Sequence, residues 1–348
     1  MKPRIAIILC HPGDSLGGET REGFLASHLE DAGYSVRVYR VDTTGRCNPN
    51  QTTRRIVYRI PGTTRPLALR MCAPDDLGVP VSKVCSKVLV KEVRGYHPQI
   101  VVWKGLDYAI TKQLLPELPS GTKHLSIVGG NTHDDILLDA SSVIFSEFSG
   151  QVVSQVAQVT LPKWVNWDRI QHSRPRLSER SIWSWVSVGD LCERKNHAPL
   201  MREWSLTHKE LGTGLVIGDG LLLPTLSNLD RSLNGRSLVY GHLPNELVLD
   251  NMQMSRIQMH PSLNEGLPRC MVEGAACGLP FVCLRSGLRM SEEPEWLFLA
   301  DNVPGMVQTA QLLLDSPVTL KHMSKSSREW AMDHASWQNL IDTFYSAL

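Results

Sequence analysis

His260-Pro-Ser-Leu-Asn-Glu265-Gly-Leu-Pro-Arg-Cys-Met-Val-Glu273-Gly-Ala-Ala-Cys-Gly278-Leu-Pro-Phe-Val-Cys-Leu284 is the stretch whose reading decides the fold. It reads as a loop, a short helix and a buried strand. Pro268 suits a first helical turn, where its missing N–H costs nothing. The small residues Gly274, Ala275 and Ala276 allow close packing. Gly278 is placed for the left-handed conformation that ends a helix, and Pro280 prevents continuation. Phe281-Val-Cys-Leu284 is a continuous apolar run, as a parallel strand covered on both faces requires.

Two carboxylates flank this helix. Glu265 falls in the loop before it, and Glu273 is expected about two turns inside it. The N–H groups at Gly266, Leu267 and the following turn offer an anion site, strengthened by the helix dipole. A diphosphate docked there leaves one carboxylate on each side. An ionised carboxylate only accepts hydrogen bonds, so vicinal hydroxyls are its natural partners: a ribose diol on one side, a sugar on the other.

The run Pro-Ser-x-x-Glu-Gly…Glu-Gly-Ala-Ala-Cys-Gly-Leu-Pro resembles the E-x7-E signature of the retaining family-four glycosyltransferases, GT-B enzymes of the glycogen synthase-like superfamily. The resemblance implies an α/β, GT-B architecture: two Rossmann-like domains facing across a cleft, with a C-terminal helix crossing back to the first. The expected divisions are an acceptor-side domain over 1–170, a polar linker over 171–180, a nucleotide-sugar-binding domain over 181–325 and a crossover helix over 326–348. A chain of 348 residues exceeds what one hydrophobic core usually serves, which agrees with two domains.

The order of elements fits. Ile5–Cys10 reads as a strand, Phe24–Gly33 as a helix and Val36–Val41 as a second strand, the opening of a doubly wound domain. Between them Gly17 and Gly18 let backbone approach a ligand and resemble the glycine pair of the family's first loop. Further strands are expected at Ile100–Trp103, His124–Val128, Val143–Ser146 and Val156–Leu161. A second series begins at Trp185–Val188, with a helix to about Leu211, strands at Leu215–Gly220 and Leu238–His242, and a helix over Pro244–Met252. Thr43 to Cys72 reads as irregular and basic, carrying Arg46, Arg54, Arg55, Arg59, Arg65 and Arg70 with no acid among them. It is either a solvated loop or hairpin, or an electropositive rim for an anionic acceptor or surface.

As a glycosidic bond to a nucleoside diphosphate breaks, negative charge gathers on the leaving group, and cations placed there stabilise the transition state most. By resemblance Lys195, at the end of Val-Gly-x-Leu-x-x-x-Lys, is the diphosphate lysine. With Glu265, which orients the donor sugar, it forms the expected catalytic pair. Glu273, Gly266, Leu267, Arg194, Arg269, Gly17 and Gly18 are the expected donor-binding residues. Relatives usually carry an arginine directly after the glycine of this motif; here it is Asp190, and Arg194 or Arg269 is expected to substitute. On the acceptor side the candidates are Lys104, standing where relatives often have a histidine, then Asn131 and His133, and Arg54, Arg55 and Arg59.

The donor implied is a UDP- or GDP-linked sugar, with no cofactor required and no metal. His133-Asp134-Asp135 is the alternative metal candidate. Retention is expected by a same-face mechanism in which the leaving phosphate deprotonates the acceptor hydroxyl. Two alternatives stand beside this reading. One is the same chemistry on a hydroxymethylated base in DNA. The other is a non-catalytic sugar-nucleotide-binding protein, which Asp190 favours. A net charge of +1 selects no partner by itself, and the eight cysteines show no C-x-x-C spacing, as buried free thiols in a reducing compartment would. No run approaches the length needed to span a bilayer, so the expected location is the cytoplasm or the periphery of a membrane.

Overall fold

The computed structural model describes residues 2–13, 20–44, 53–59, 64–76, 78–105, 108–129, 136–147, 154–163, 165, 167, 170, 182–207, 209–290 and 292–348. The chain divides into two compact units, Met1–Leu161 together with Ile341–Leu348, and Pro162–Leu340. The linker expected over 171–180 lies outside the described residues.

In the first unit the strands are β1 (Arg4–Gly13), β2 (Ser35–Asp42), β3 (Thr53–Tyr58), β4 (Leu67–Cys72), β5 (Ile100–Lys104), β6 (Lys123–Ile127), β7 (Val143–Ser146) and β8 (Gln158–Thr160). They form an eight-stranded sheet in the order β3-β4-β2-β1-β5-β6-β7-β8. Every pairing is parallel except that of β3 with β4. β1 is central, and Ile5 to Cys10 are all buried, as a strand covered on both faces demands.

The basic stretch is more ordered than its composition suggests. Leu67-Ala-Leu-Arg-Met-Cys72 alternates, with Leu67, Leu69 and Met71 buried, and adds to β2 in parallel. β3 folds back on it as an antiparallel edge strand. Arginines dominate the composition there, but the period-two apolar pattern governs the structure. The segment over 326–348 also differs from a single crossover helix. It holds the end of a helix over Pro317–His334 and a second helix over Trp337–Tyr345. The final residues belong to the first unit, where Phe344 stacks on Phe145 with ring centroids 5.3 Å apart and Lys123 Nζ donates to the Leu348 carbonyl at 3.1 Å.

The second unit holds β9 (Trp183–Val188), β10 (Gly214–Ile217), β11 (Ser237–Tyr240), β12 (Ser255–His260), β13 (Phe281–Leu284) and β14 (Leu297–Ala300). All are parallel, in the order β11-β10-β9-β12-β13-β14. β14 was not anticipated; it is a short apolar run behind Pro294 without an alternating pattern. The helix expected to reach about Leu211 ends at Ser205 and is followed by a single 3-10 turn over Lys209–Leu211.

The helix of the deciding stretch spans Arg269–Ala276, and Cys270 to Ala276 are all buried. Its start corrects the sequence expectation: Pro268 is extended (φ −68°, ψ 135°) and caps the helix from outside. Glu273 is therefore in the second turn, not two turns in. The end is as expected. Gly278 is left-handed at φ 80°, its N–H bonds the Ala275 carbonyl at 2.9 Å, and the Leu279 N–H bonds the Gly274 carbonyl at 2.9 Å. This paired arrangement satisfies carbonyls that a helix end otherwise leaves bare. Gly274 faces β12 so closely that a Cβ there would overlap Gln258 Oε1, which is why this helix needs its small residues.

Candidate functional site

In a doubly wound sheet, ligands bind beyond the C-terminal strand ends where the strand order reverses. The second unit reverses between β9 and β12: the chain builds β10 and β11 on one side of β9, then returns to lay β12 on the other. Both motif stretches leave the sheet at that point.

After β9 the chain passes Gly189 and turns through a 3-10 segment, Glu193–Lys195. Asn196, left-handed at φ 56°, then redirects it into the helix over His197–Ser205; asparagine tolerates that conformation better than most residues. The Lys195 side chain folds back over Gly189, where an added Cβ would lie 3.2 Å from its Cε and Nζ. Lys195 is only 7% exposed. Its ammonium is 2.6 Å from Glu265 Oε1 in the loop after β12. Arg194 Nη1 lies 2.5 Å from the same oxygen and 2.9 Å from the Asn264 carbonyl. Ser262 Oγ donates to Glu265 Oε1 at 2.8 Å, and the Leu263 N–H donates to the Arg194 carbonyl at 2.9 Å. The two loops are thus tied together around one carboxylate oxygen.

Burial opposes ionisation of Glu265, but the polar groups of His260, Lys195 and Ser262, with the Lys195 charge, outweigh it and hold the carboxyl well below its usual range. Two buried histidines border the pair. Burial, then the neighbouring His260 and Lys195, depresses His197 to about 3. Burial likewise lowers His260. Both rings are neutral at pH 7. Neither was singled out from sequence, although each sits where a motif loop joins a strand or helix, at the C-terminal edge of the sheet.

The second glutamate is positioned separately. Glu273 Oε1 accepts from Arg269 Nε at 3.1 Å, one helical turn earlier, and from Asn245 Nδ2 at 3.0 Å. Asn245 opens the helix over Asn245–Gln253 and was also missed. Nothing local marks it, because 28 residues separate it from its partner. Gly266 is buried and Leu267 half-buried, while Asp190 is exposed.

The acceptor-side candidates fall in the first unit. Lys104 ends β5, half-buried beside Gly129. Buried Glu22 is held at about 2: burial opposes its charge, but Arg21, 2.9 Å away, and the Lys104 charge prevail. Among the arginines, Arg54 approaches Asp42 at 3.4 Å, Arg65 approaches Asp31 at 4.0 Å and Arg70 approaches Glu92 at 4.0 Å. Acids absent from the local sequence thus meet three of the six arginines, and the rim is less positive than that sequence implies. Arg55 and Arg59 are exposed. Gly17, Gly18, Arg46, Asn131 and the His133-Asp134-Asp135 group lie outside the described residues.

Residues 184–316 match the family model described as "Glycosyl transferases group 1". The matched residues lie within the second unit. A Haemophilus influenzae protein described as an uncharacterized glycosyltransferase is 30% identical over 166 residues, 46% of this chain and 46% of that protein. The aligned part is thus about half the length of that relative. Among solved structures, sucrose-phosphate synthase from Thermosynechococcus elongatus superposes with a TM-score of 0.74 at 15% identity, covering 99% of this chain and 98% of that one. HepE of Anabaena, captured with UDP and glucose, gives 0.67 at 11% identity, covering 99% and 98%. At these identities the structural likeness speaks for the fold, the two-domain α/β arrangement of GT-B proteins. Among the described residues no helix is long and apolar enough to cross a membrane.

Proposed function

We propose that this group 1 type chain transfers a sugar from a nucleoside diphosphate sugar to an acceptor hydroxyl, with retention of configuration. The observation that carries the reading is the meeting of Lys195 and Arg194 with Glu265 at the switch point of the matched segment. Two cations and a helix start provide for a diphosphate, and a fixed carboxylate provides for hydroxyls.

In this reading Lys195 and Arg194 meet the phosphates. The bond from the anomeric carbon to the phosphate oxygen breaks with its electron pair left on that oxygen, and the cations stabilise the growing charge. Glu265 holds sugar hydroxyls. Committed to those hydroxyls and to Ser262, it is a poor nucleophile, which favours the same-face route. In that route the acceptor proton passes to the leaving phosphate oxygen as the new bond forms on the same face. Glu273, with Oε1 taken by Arg269 and Asn245, directs its other oxygen to the ribose diol. Lys104 and its neighbours are assigned to the acceptor side. The acid-paired arginines favour a hydroxyl on a soluble acceptor over a nucleic acid. The free thiols among the described cysteines agree with a reducing, cytoplasmic setting.

UDP is the first nucleotide to try, since HepE was captured with it. The experiment is calorimetry with UDP and GDP, followed by a donor screen that measures released nucleoside diphosphate with and without acceptor mixtures. Binding with acceptor-dependent release is expected, and excess chelator should leave it intact. Binding without release would favour the non-catalytic reading that exposed Asp190 suggests. No binding of either nucleotide would remove the donor site altogether.

A further inference from the structure

His260 closes β12 at the switch point, 1% exposed, with its ring 5.6 Å from that of Phe281. Its two nitrogens face different groups. Cys270 Sγ lies 3.8 Å from Nδ1, and Glu265 Oε1 lies 3.7 Å from Nε2. The second distance is too long for a hydrogen bond, and no group among the described residues hydrogen-bonds Nε2. A carboxylate can only accept, so the nitrogen facing it carries the proton. Nδ1 is then the acceptor, and its partner is the Cys270 thiol, kept protonated by burial that pushes it up to about 12. The ring is thus set in one tautomer, with a bare N–H directed at the carboxylate.

We propose that His260 is a positioning residue for Glu265, and that its Nε2–H takes up the carboxylate when a diphosphate draws Lys195 and Arg194 away. The inference rests on the donor-site reading and adds a step to it. In this structure both cations converge on Glu265 Oε1. Cations that move to a diphosphate no longer neutralise that oxygen at the same distances. Glu265 would be left with Ser262 alone, free to rotate away from the sugar it must orient. Closing the 3.7 Å gap to an ordinary hydrogen bond needs a movement of only about 1 Å. The buried donor and the over-engaged acceptor therefore stand as two halves of a bond that ligand binding completes.

The test uses nitrogen-15 histidine-labelled full chain, with the His260 resonance assigned by its loss in His260→Gln. Saturating UDP should move the Nε2–H proton downfield and slow its exchange with water, and Glu265→Ala should abolish both effects. In the donor-release assay His260→Phe should lose about tenfold or more, while His260→Gln, which keeps an N–H at that reach, stays within about threefold of wild type. UDP affinity should fall by up to about tenfold in His260→Phe and hold within about threefold in His260→Gln, because a bond completed on binding adds to affinity. A purely structural role would instead lower activity and melting temperature together in both variants. An unmoved resonance at saturating UDP, or equal losses in Phe and Gln, overturns the proposal while leaving the donor site standing. No heat with either UDP or GDP removes the donor reading, and this inference with it.

Discussion

Replacing Glu265 by glutamine should tighten nucleoside diphosphate binding while nearly abolishing transfer. Glutamine keeps the shape of the side chain and one acceptor oxygen but removes the charge that holds two cations. Arg194, with its side chain 43% exposed, contributes only about 0–1 kcal/mol through its pair with Glu265. Lys195, with its side chain 9% exposed and 2.6 Å away, makes a charge-assisted bond worth about 1.5–3 kcal/mol. A diphosphate must compete with both. Relief of most of that competition corresponds to roughly 2–3 kcal/mol, or an affinity gain between about thirtyfold and 150-fold. The same energy leaves the unliganded fold, so melting should drop by roughly 4–12 °C. Calorimetry with UDP on the folded variant, beside thermal melts of both proteins without ligand, makes the comparison. UDP binding that is weaker than wild type, or the same, would show that Glu265 does not compete with the diphosphate for these cations.

Glu273→Gln should behave in the opposite sense, weakening UDP binding by about 1–3 kcal/mol in calorimetry, since it removes a charged acceptor without releasing a phosphate cation. Glu22, buried and held at about 2 from an ordinary 4.5, adds roughly 3 kcal/mol of stability that is present above pH 4.5 and lost as pH falls toward 2. The melting difference between wild type and Glu22→Gln should therefore be largest at neutral pH and shrink across that acid window. A constant difference would place the cost in packing instead. Gly274→Ala should destabilise the protein by about 1–3 kcal/mol in denaturant melts, because the new Cβ overlaps buried Gln258; an unchanged midpoint would mean that the helix has room to shift.

Much of the deciding stretch was legible because its signals are local. The end of its helix followed from Gly278 and Pro280, and the strand after it from an unbroken apolar run. Its start was misjudged by one residue, since proline is compatible both with a first helical position and with the extended residue before it, and only the turn geometry separates them. The basic stretch reads as a loop or hairpin, and the antiparallel pairing of β3 with β4 agrees with the hairpin; its arginines hid only the alternating pattern that makes β4 a sheet strand. β14 carries too few residues for any period to show.

The roles of Lys195 and Glu265 were suggested by motif, yet nothing in either motif stated that the two side chains meet. The contact of Arg194 with Glu265 spans 71 residues and exists because strand order brings β9 beside β12. The same holds for Asn245 on Glu273 and for His260 Nε2, which faces Glu265 across 3.7 Å. Local sequence determined where helices end, which runs are buried and which side chains carry charge, because backbone conformation and hydrophobic period act within a few residues. Which charges neutralise one another, as with Asp42, Asp31 and Glu92 against the arginines, was decided only when the sheets assembled. Coulomb energy and burial depend on distance through space, and the distance along the chain does not fix it.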